Sequence, residues 1–346
     1  MANNEKIDVK EKKITAKDYA TDQDVRWCPG CGDYSILAQV QRSFPEIGVP
    51  KEKIAWISGI GCSSRFPYYM DTYGMHGIHG RAPAIATGLK IARPDISVWV
   101  ASGDGDLMSI GGNHFIHACR KNVDINILMF NNRIYGLTKG QYSPTSEKGK
   151  ITKSTPFGSV DYPFNPISLA MGADATFVAR SIDREPKHLK ELIKKAADHK
   201  GVSFVEVFQN CNIFNDGAFS VLTDKQTKEE HLLYLEHDKP MVFGKEKDKG
   251  IKLDGLKPVV VDLNDGEHSE NDLLVHDETD RNVARGFILS HLTDNPEMPT
   301  PVGIFRRIEK ETYNEGVERQ IKHITEKKDK GDLENVLFSG NTWKVN

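Results

Sequence analysis

The chain has 346 residues, enough for one large domain or two ordinary ones, and 38% of them are hydrophobic, which suits a soluble fold with a sizeable core. A net charge of −3 argues against a broad nucleic-acid or anionic-membrane surface, and no apolar run is long enough to span a bilayer. The charged N-terminal stretch lacks the apolar centre of a signal peptide, so the expected location is the cytoplasm.

Residues 1–23 read as a polar arm of mixed charge. From Val25 to about Phe208, apolar strand-like runs alternate with helical stretches. Ile54–Ser58 predicts a buried strand, and Ala82–Ala92 a helix closed by Arg93-Pro94. Ile96–Ala101 predicts a strand, Gly111–Arg120 a helix and Ile125–Phe130 a further strand. Lys187–His199 is helical in pattern and Ser203–Phe208 is a strand. Such alternation predicts an α/β fold, a doubly wound and mostly parallel sheet, over residues 24–225. Ligands of such sheets bind beyond the carboxyl ends of the strands. Residues 223–257 are rich in charge. The short apolar stretch Pro258–Leu263 runs into the turn-prone Asn264-Asp265-Gly266, and Arg306–Lys330 is charged and helical in texture. Residues 226–346 are therefore expected to form an extension that packs on the core or on a partner.

Gly103-Asp104-Gly105 comes directly after one strand, and Asn131-Asn132 directly after the next. A single helix separates the two strands, so both motifs fall at one edge of the sheet. Magnesium wants an octahedron of oxygens and is commonly held by few carboxylates together with phosphates. Asp104 can supply a carboxylate oxygen, Asn132 an amide oxygen and Ile134 a backbone carbonyl. The glycines let the backbone approach a diphosphate closely, and amides at the following helix start can bond its oxygens. Alone, Gly-Asp-Gly reads as a turn; its pairing with Asn-Asn, each at a strand end, favours the magnesium site.

Five cysteines are present, and a reducing compartment makes disulfides a poor expectation. Cys28 and Cys31 share the tight loop Cys28-Pro29-Gly30-Cys31-Gly32. Cys62 follows a strand in Gly59-Ile60-Gly61-Cys62-Ser63, and Cys211 follows another in Gln209-Asn210-Cys211-Asn212. Four thiolates so placed can hold a 4Fe–4S cluster. Spacing alone leaves open a redox dithiol, a structural zinc site and plain buried thiols. Cys119 falls inside a helix and is assigned to the core.

Taken together, these motifs resemble a known family. Gly-Asp-Gly followed by Asn-Asn is similar to the thiamine diphosphate motif. Cys-Pro-Gly-Cys-Gly at 28–32, Gly-Ile-Gly-Cys-Ser at 59–63, His-Gly-Arg at 79–81 and Tyr-Gly-Leu-Thr-Lys-Gly-Gln at 135–141 extend the likeness. The stretch from Trp27 to about Asn212 resembles the beta subunit of 2-oxoacid:ferredoxin oxidoreductases. That resemblance implies thiamine diphosphate with Mg2+ on Asp104, Asn132 and Ile134, and one 4Fe–4S cluster on Cys28, Cys31, Cys62 and Cys211. It places Ile60, Gly61, Cys62, Ser63, His79, Asp104, Gly105, Asp106, Asn132, Gly136 and Leu137 around the cofactor. The implied reaction is oxidative decarboxylation of a 2-oxoacid, with coenzyme A taking the acyl group and ferredoxin the electrons. The glutamate that activates the aminopyrimidine is expected from an alpha-type partner subunit, because one α/β domain is evident here.

Arg65 and Lys139 lie near the cofactor loops and can pair with the second carboxylate of 2-oxoglutarate. The bland alternatives are a diphosphate-facing arginine and a surface lysine, and pyruvate is the competing substrate. Of the two loop histidines, the resemblance favours His79 near thiamine over His76. Zinc on that pair lacks a nearby third ligand. The competing functions are a non-redox thiamine-dependent decarboxylase with structural cysteines, and a subunit that kept the fold without the chemistry.

Overall fold

Strands that are apolar at every position need cover on both faces, and a parallel sheet between helices provides it. The computed structural model describes residues 14–327 and 331–345. Its strands are β1 (Ile54–Ser58), β2 (Tyr73–His76), β3 (Ser97–Gly103), β4 (Asn126–Asn131), β5 (Phe177–Ile182), β6 (Ser203–Phe208) and β7 (Leu232–Leu235). A small antiparallel sheet follows, with β8 (Val242–Phe243), β9 (Lys249–Asp254) and β10 (Lys257–Asp262), and the last strand is β11 (Thr300–Arg307). The main sheet has eight strands in the order β2-β1-β3-β4-β6-β5-β11-β7. All its neighbours run parallel except β5 and β11.

Six helices frame this sheet: α1 (Asp33–Ile47), α2 (Ala82–Ala92), α3 (Asp104–Met108), α4 (Gly112–Lys121), α5 (Pro166–Gly172) and α6 (Pro186–Asp198). Alternate side chains of each strand enter different cores. Ile54, Trp56, Trp99 and Ala101 face α1 and α6, whereas Ala55, Ile57, Val98 and Val100 face α2, α4 and α5. Trp56 stands opposite Trp99 in register, their rings 5.3 Å apart, with Phe44 and Phe66 packed on either side. Cys119 is wholly buried in the second core.

Ile54–Ser58, Ala82–Ala92 and Ser203–Phe208 have the expected bounds. The other expected elements have ends shifted by one or two residues, with β3 running to Gly103, and two helices, α3 and α4, stand in place of the one expected between β3 and β4. The C-terminal segment does more than pack against the sheet, because β7 and β11 are members of it. Within the expected helix 306–330, Arg306 and Arg307 belong to β11. The helix spans Tyr313–Lys327, and residues 328–330 lie outside the described part. Residues 1–13 of the expected polar arm also lie outside it. The remainder of the arm is docked: Tyr19 is buried, and its ring meets Phe44 at 5.6 Å. Among the described residues, no helix is long and apolar enough to cross a membrane.

His199, just after α6, is buried, with its Nε2 2.8 Å from the Thr176 hydroxyl. Burial, helped by the Arg307 charge, holds the imidazole at about 4. Unfolding frees it to its ordinary value near 6.5, so the unfolded chain binds the extra proton and stability is lost as pH falls from about 6.5 to about 4. The thermal midpoint should drop between pH 7 and pH 5, and His199→Gln should flatten that drop. Equal slopes in the two proteins would refute this assignment.

Candidate functional site

Parallel register decides where the first motif meets the second. Gly103 pairs with Phe130, so Asp104 and Asn131-Asn132 leave neighbouring strands at the same level. Asp104 opens α3 and is buried, 2% exposed. Its carboxylate accepts hydrogen bonds from Ser143 Oγ (2.5 Å) and Thr145 Oγ1 (2.6 Å), and burial pushes its pKa up to about 6. No lysine or arginine among the described residues pairs with it. A buried carboxyl held by hydroxyls and backbone amides, without a charged partner, gains from a cation.

The chain after β4 is bent by an Asx turn, in which Ile134 N donates to Asn132 Oδ1 at 3.1 Å. Arg133 has φ +56° within that bend. The carbonyls on either side are occupied: Asn132 O accepts from Asn215 Nδ2, Arg133 O from Ser146 Oγ and Tyr135 O from Gly140 N. The Ile134 carbonyl accepts no hydrogen bond among the described residues. Asp104, Asn132 and that free carbonyl are the oxygen groups expected to meet magnesium, a cation that takes such donors. Tyr135 Oη then donates to Gly105 O at 2.9 Å. A Cβ on Gly105 would lie 2.2 Å from the Tyr135 ring, so glycine is required there for the two loops to close.

Asp106 is also buried, but its carboxylate is enclosed by protein donors. Oδ1 accepts from Ile60 N (3.1 Å), Gly80 N (2.7 Å) and His79 Nδ1, and Oδ2 from Ser102 Oγ (2.6 Å). Gly61, Ser63 and Leu137 stand at the same edge, Ser63 buried and Leu137 exposed.

The four cysteines converge beside this site. Cys31 N bonds Cys28 O, Gly32 N bonds Asn210 O and Asn212 Nδ2 bonds Pro29 O, which ties the Cys-x-x-Cys loop to the Cys211 loop. Gln209 Nε2 reaches Cys31 Sγ at 3.3 Å, and Trp27 Nε1 donates to Cys62 O at 2.7 Å. A Cβ on Gly136 would lie 3.5 Å from Cys62 Sγ and 3.6 Å from Cys211 Sγ. Burial pushes the Cys62 thiol up to about 12 and the Cys31 thiol higher, with the neighbouring Asp33 and cysteine charges adding to both shifts. Asp33 is itself buried beside Cys31, and burial pushes it to about 7.

A tetrahedral zinc with bonds of about 2.3 Å would hold its sulfurs about 3.8 Å apart. Among the described residues, no three cysteine sulfurs lie within 4.8 Å of one another. The thiols are close enough for their charges to bear on one another.

Arg65 and Lys139 share no partner among the described residues. Arg65 Nε bonds Tyr69 Oη at 2.9 Å, close to Cys62 and His76, whereas Lys139 is exposed at φ +75° in the 136–140 turn. His76 is partly buried against the Tyr68 ring and shares no hydrogen bond with the His79–Asp106 pair among the described residues, though the Asp106 charge bears on it. Ser143, Thr145, Tyr135, Gln209 and Asp33 were not foreseen as site residues. The run Ser143-Pro144-Thr145-Ser146 was the signal available for two of them, since hydroxyls beside a proline turn suit a buried carboxylate.

The fold and the site define a thiamine diphosphate-binding domain, and residues 59–207 match the family described as thiamine pyrophosphate enzyme, C-terminal TPP binding domain. Over its whole length the chain is 49% identical to the 2-oxoglutarate oxidoreductase subunit KorB of Mycobacterium tuberculosis, of which it covers 92%. It is 46% identical over 198 residues to the beta subunit of 2-oxoacid:ferredoxin oxidoreductase 1 of Aeropyrum pernix, a match covering 57% of this chain and 62% of that one. Among solved structures it is similar to the 2-oxoglutarate:ferredoxin oxidoreductase of Magnetococcus marinus, with TM-score 0.76, 34% identity and coverage of 96% and 97% of the two chains. The chain belongs to the 2-oxoacid:ferredoxin oxidoreductase family, as a beta subunit.

Thr145→Val removes the hydroxyl shared by Asp104 and Asn131 while keeping the shape of the side chain. It should destabilise the protein by about 1–3 kcal/mol, read as a lower urea midpoint at unchanged slope. An unchanged midpoint would show that the buried carboxylate does not depend on that hydroxyl.

Proposed function

We propose that the chain is the thiamine diphosphate- and cluster-bearing subunit of an enzyme that converts 2-oxoglutarate and coenzyme A to succinyl-CoA and carbon dioxide. Two electrons leave singly to ferredoxin. The choice of 2-oxoglutarate and coenzyme A is supported by the names of the mycobacterial relative and of the Magnetococcus enzyme, the latter solved with 2-oxoglutarate, coenzyme A and succinyl-CoA bound. One observation carries the redox part of the reading. Three consecutive residues join the two sites: Ile134 offers its carbonyl, Tyr135 closes on Gly105, and Gly136 abuts the Cys62 and Cys211 sulfurs.

Thiamine diphosphate supplies, when bound, the carbanion chemistry that detaches the carboxylate of a 2-oxoacid. Asp104, Asn132 and the Ile134 carbonyl hold the magnesium that neutralises its diphosphate. Ile60, Gly61, Ser63, Gly105 and Leu137 shape the cofactor's bed, and His79 faces it. Cys28, Cys31, Cys62 and Cys211 hold a 4Fe–4S cluster as the electron exit. Arg65 and Lys139 remain candidates for the distal carboxylate of the substrate, each acting separately. Residues 24–225 carry the cofactor site, after the arm 1–23 and within a sheet that β7 and β11 of the segment 226–346 complete. An alpha-type subunit supplies the glutamate that activates the aminopyrimidine, and the complex works in the cytoplasm, where thiols stay reduced.

Anaerobically purified protein, co-expressed with its partner subunit, should carry about four irons per chain with matching acid-labile sulfide and a reduced-cluster EPR signal. Bound thiamine diphosphate without iron would replace this reading with a non-redox decarboxylase. Asp104→Ala should abolish magnesium-dependent thiamine diphosphate binding while iron content stays unchanged. Retained binding in that variant would remove Asp104 from the metal site.

A further inference from the structure

We propose that Asp106 is a positioning residue that holds His79 by its Nδ1, so that the imidazole meets the cofactor through Nε2. The proposal rests on the cofactor reading above and concerns how that site is held in shape.

Asp106 is 2% exposed, and four donors converge on it from three strand ends. Ile60 N comes from the loop after β1, His79 Nδ1 and Gly80 N from the loop after β2, and Ser102 Oγ from β3 itself. The Asp106 carbonyl also accepts from Gly111 N at 3.2 Å, which anchors the start of α4. Room for the carboxylate comes from Gly59, where a Cβ would lie 2.0 Å from Asp106 Oδ2. One buried side chain thus ties together the ends of β1, β2 and β3, the loops on which a diphosphate would rest.

The same contacts settle the tautomer of His79. Backbone amides can only donate, and two of them point at Asp106 Oδ1, so that oxygen carries no proton. The third partner of Oδ1, His79 Nδ1, must therefore bear the hydrogen. Nε2 is the nitrogen left for the site, and it has no hydrogen-bond partner among the described residues. The ring is 43% exposed and stands edge-on to Tyr135 at 6.3 Å, beside the Gly105 loop. With both carboxylate oxygens engaged by protein, Asp106 acts on the cofactor only through the groups it holds.

The test uses the co-expressed complex and measures both thiamine diphosphate affinity and kcat. His79→Asn places an N–H where Nδ1 was and removes Nε2, whereas His79→Gln does the reverse. His79→Asn keeps the tie to Asp106 that pins the three loops and loses only the Nε2 contact, so it should lower kcat and weaken affinity less than His79→Gln, which releases the loops and should weaken affinity about tenfold, the loss expected for a hydrogen bond to a charged group. Asp106→Asn should weaken affinity by about the same factor, and adding His79→Gln to it should cost little more, since both remove one interaction. Equal affinities for His79→Asn and His79→Gln, or the reverse order, overturn the proposal. So does full multiplication of the Asp106→Asn and His79→Gln effects. The pair of His79 variants keeps the test decisive should Asp106→Asn fail to fold. Asp104→Ala separates the two levels: if it abolishes binding while the His79 pair shows no split, only the positioning role fails. Wild-type binding in Asp104→Ala removes only Asp104 from the metal site, whereas failure of the wild-type complex to bind thiamine diphosphate sinks the cofactor reading and this inference together.

Discussion

The parallel register of β1, β3, β4 and β6 is the constraint on which the site depends. A parallel sheet covered by helices satisfies its backbone internally along the strands, and leaves unpaired groups and loops at the strand ends. Because β1 and β3 are neighbours while the chain departs from them in opposite directions, a crevice opens at their carboxyl ends. Into that crevice run Gly59–Ser63, Gly103–Asp106 and Asn131–Tyr135. A slip of one residue between β3 and β4 would turn every side chain to the other face and separate Asp104 from its hydroxyl partners.

The register is reinforced by a chain of buried polar contacts. Arg180 and Glu206 stand opposite each other on β5 and β6 and form an ion pair of 2.6 Å in which both side chains are almost wholly buried. Glu206 also accepts from Asn131 Nδ2 at 2.7 Å, and the Thr145 hydroxyl lies within bonding distance of both Asn131 Oδ1 and Asp104. A buried ion pair is expensive to desolvate and persists only when its remaining donors and acceptors are satisfied. Here the satisfaction leads straight to the carboxylate proposed for magnesium. Asn131 therefore ties Asp104 to the buried ion pair, while its neighbour Asn132 bonds Gln209 and Ile134 N instead.

Two buried carboxylates two residues apart, Asp104 and Asp106, meet opposite environments. Asp104 is met by the Ser143 and Thr145 hydroxyls and by backbone amides at its own helix start, with no charged partner among the described residues, whereas Asp106 is enclosed by amides, an imidazole and a hydroxyl. The cysteines show a similar division of labour. The loops of Cys28, Cys31 and Cys211 are tied by other residues: Gly32 N bonds Asn210 O, and the Asn212 side-chain amide bonds Pro29 O.

Much of the chemistry was legible in the chain itself, because strand ends and glycine-rich turns follow from local pattern. Gly103-Asp104-Gly105, Asn131-Asn132 and the cysteine loops could be assigned to one sheet edge from periodicity and residue type. β5 was not legible, since Arg180 interrupts its apolar run and its partner Glu206 is close only across the sheet. The place of β7 and β11 in the sheet was equally hidden, because pairing between distant strands leaves no local trace. Nor could the chain tell the two aspartates of Gly-Asp-Gly-Asp apart, for their donors come from Ile60, His79 and Gly80 in one case and from Ser143 and Thr145 in the other. The sequence by itself determined which residue types could meet a diphosphate, a magnesium ion and iron. Only the tertiary structure decided which of them are free to do so, because each carboxylate or carbonyl is made available or occupied by partners many residues away.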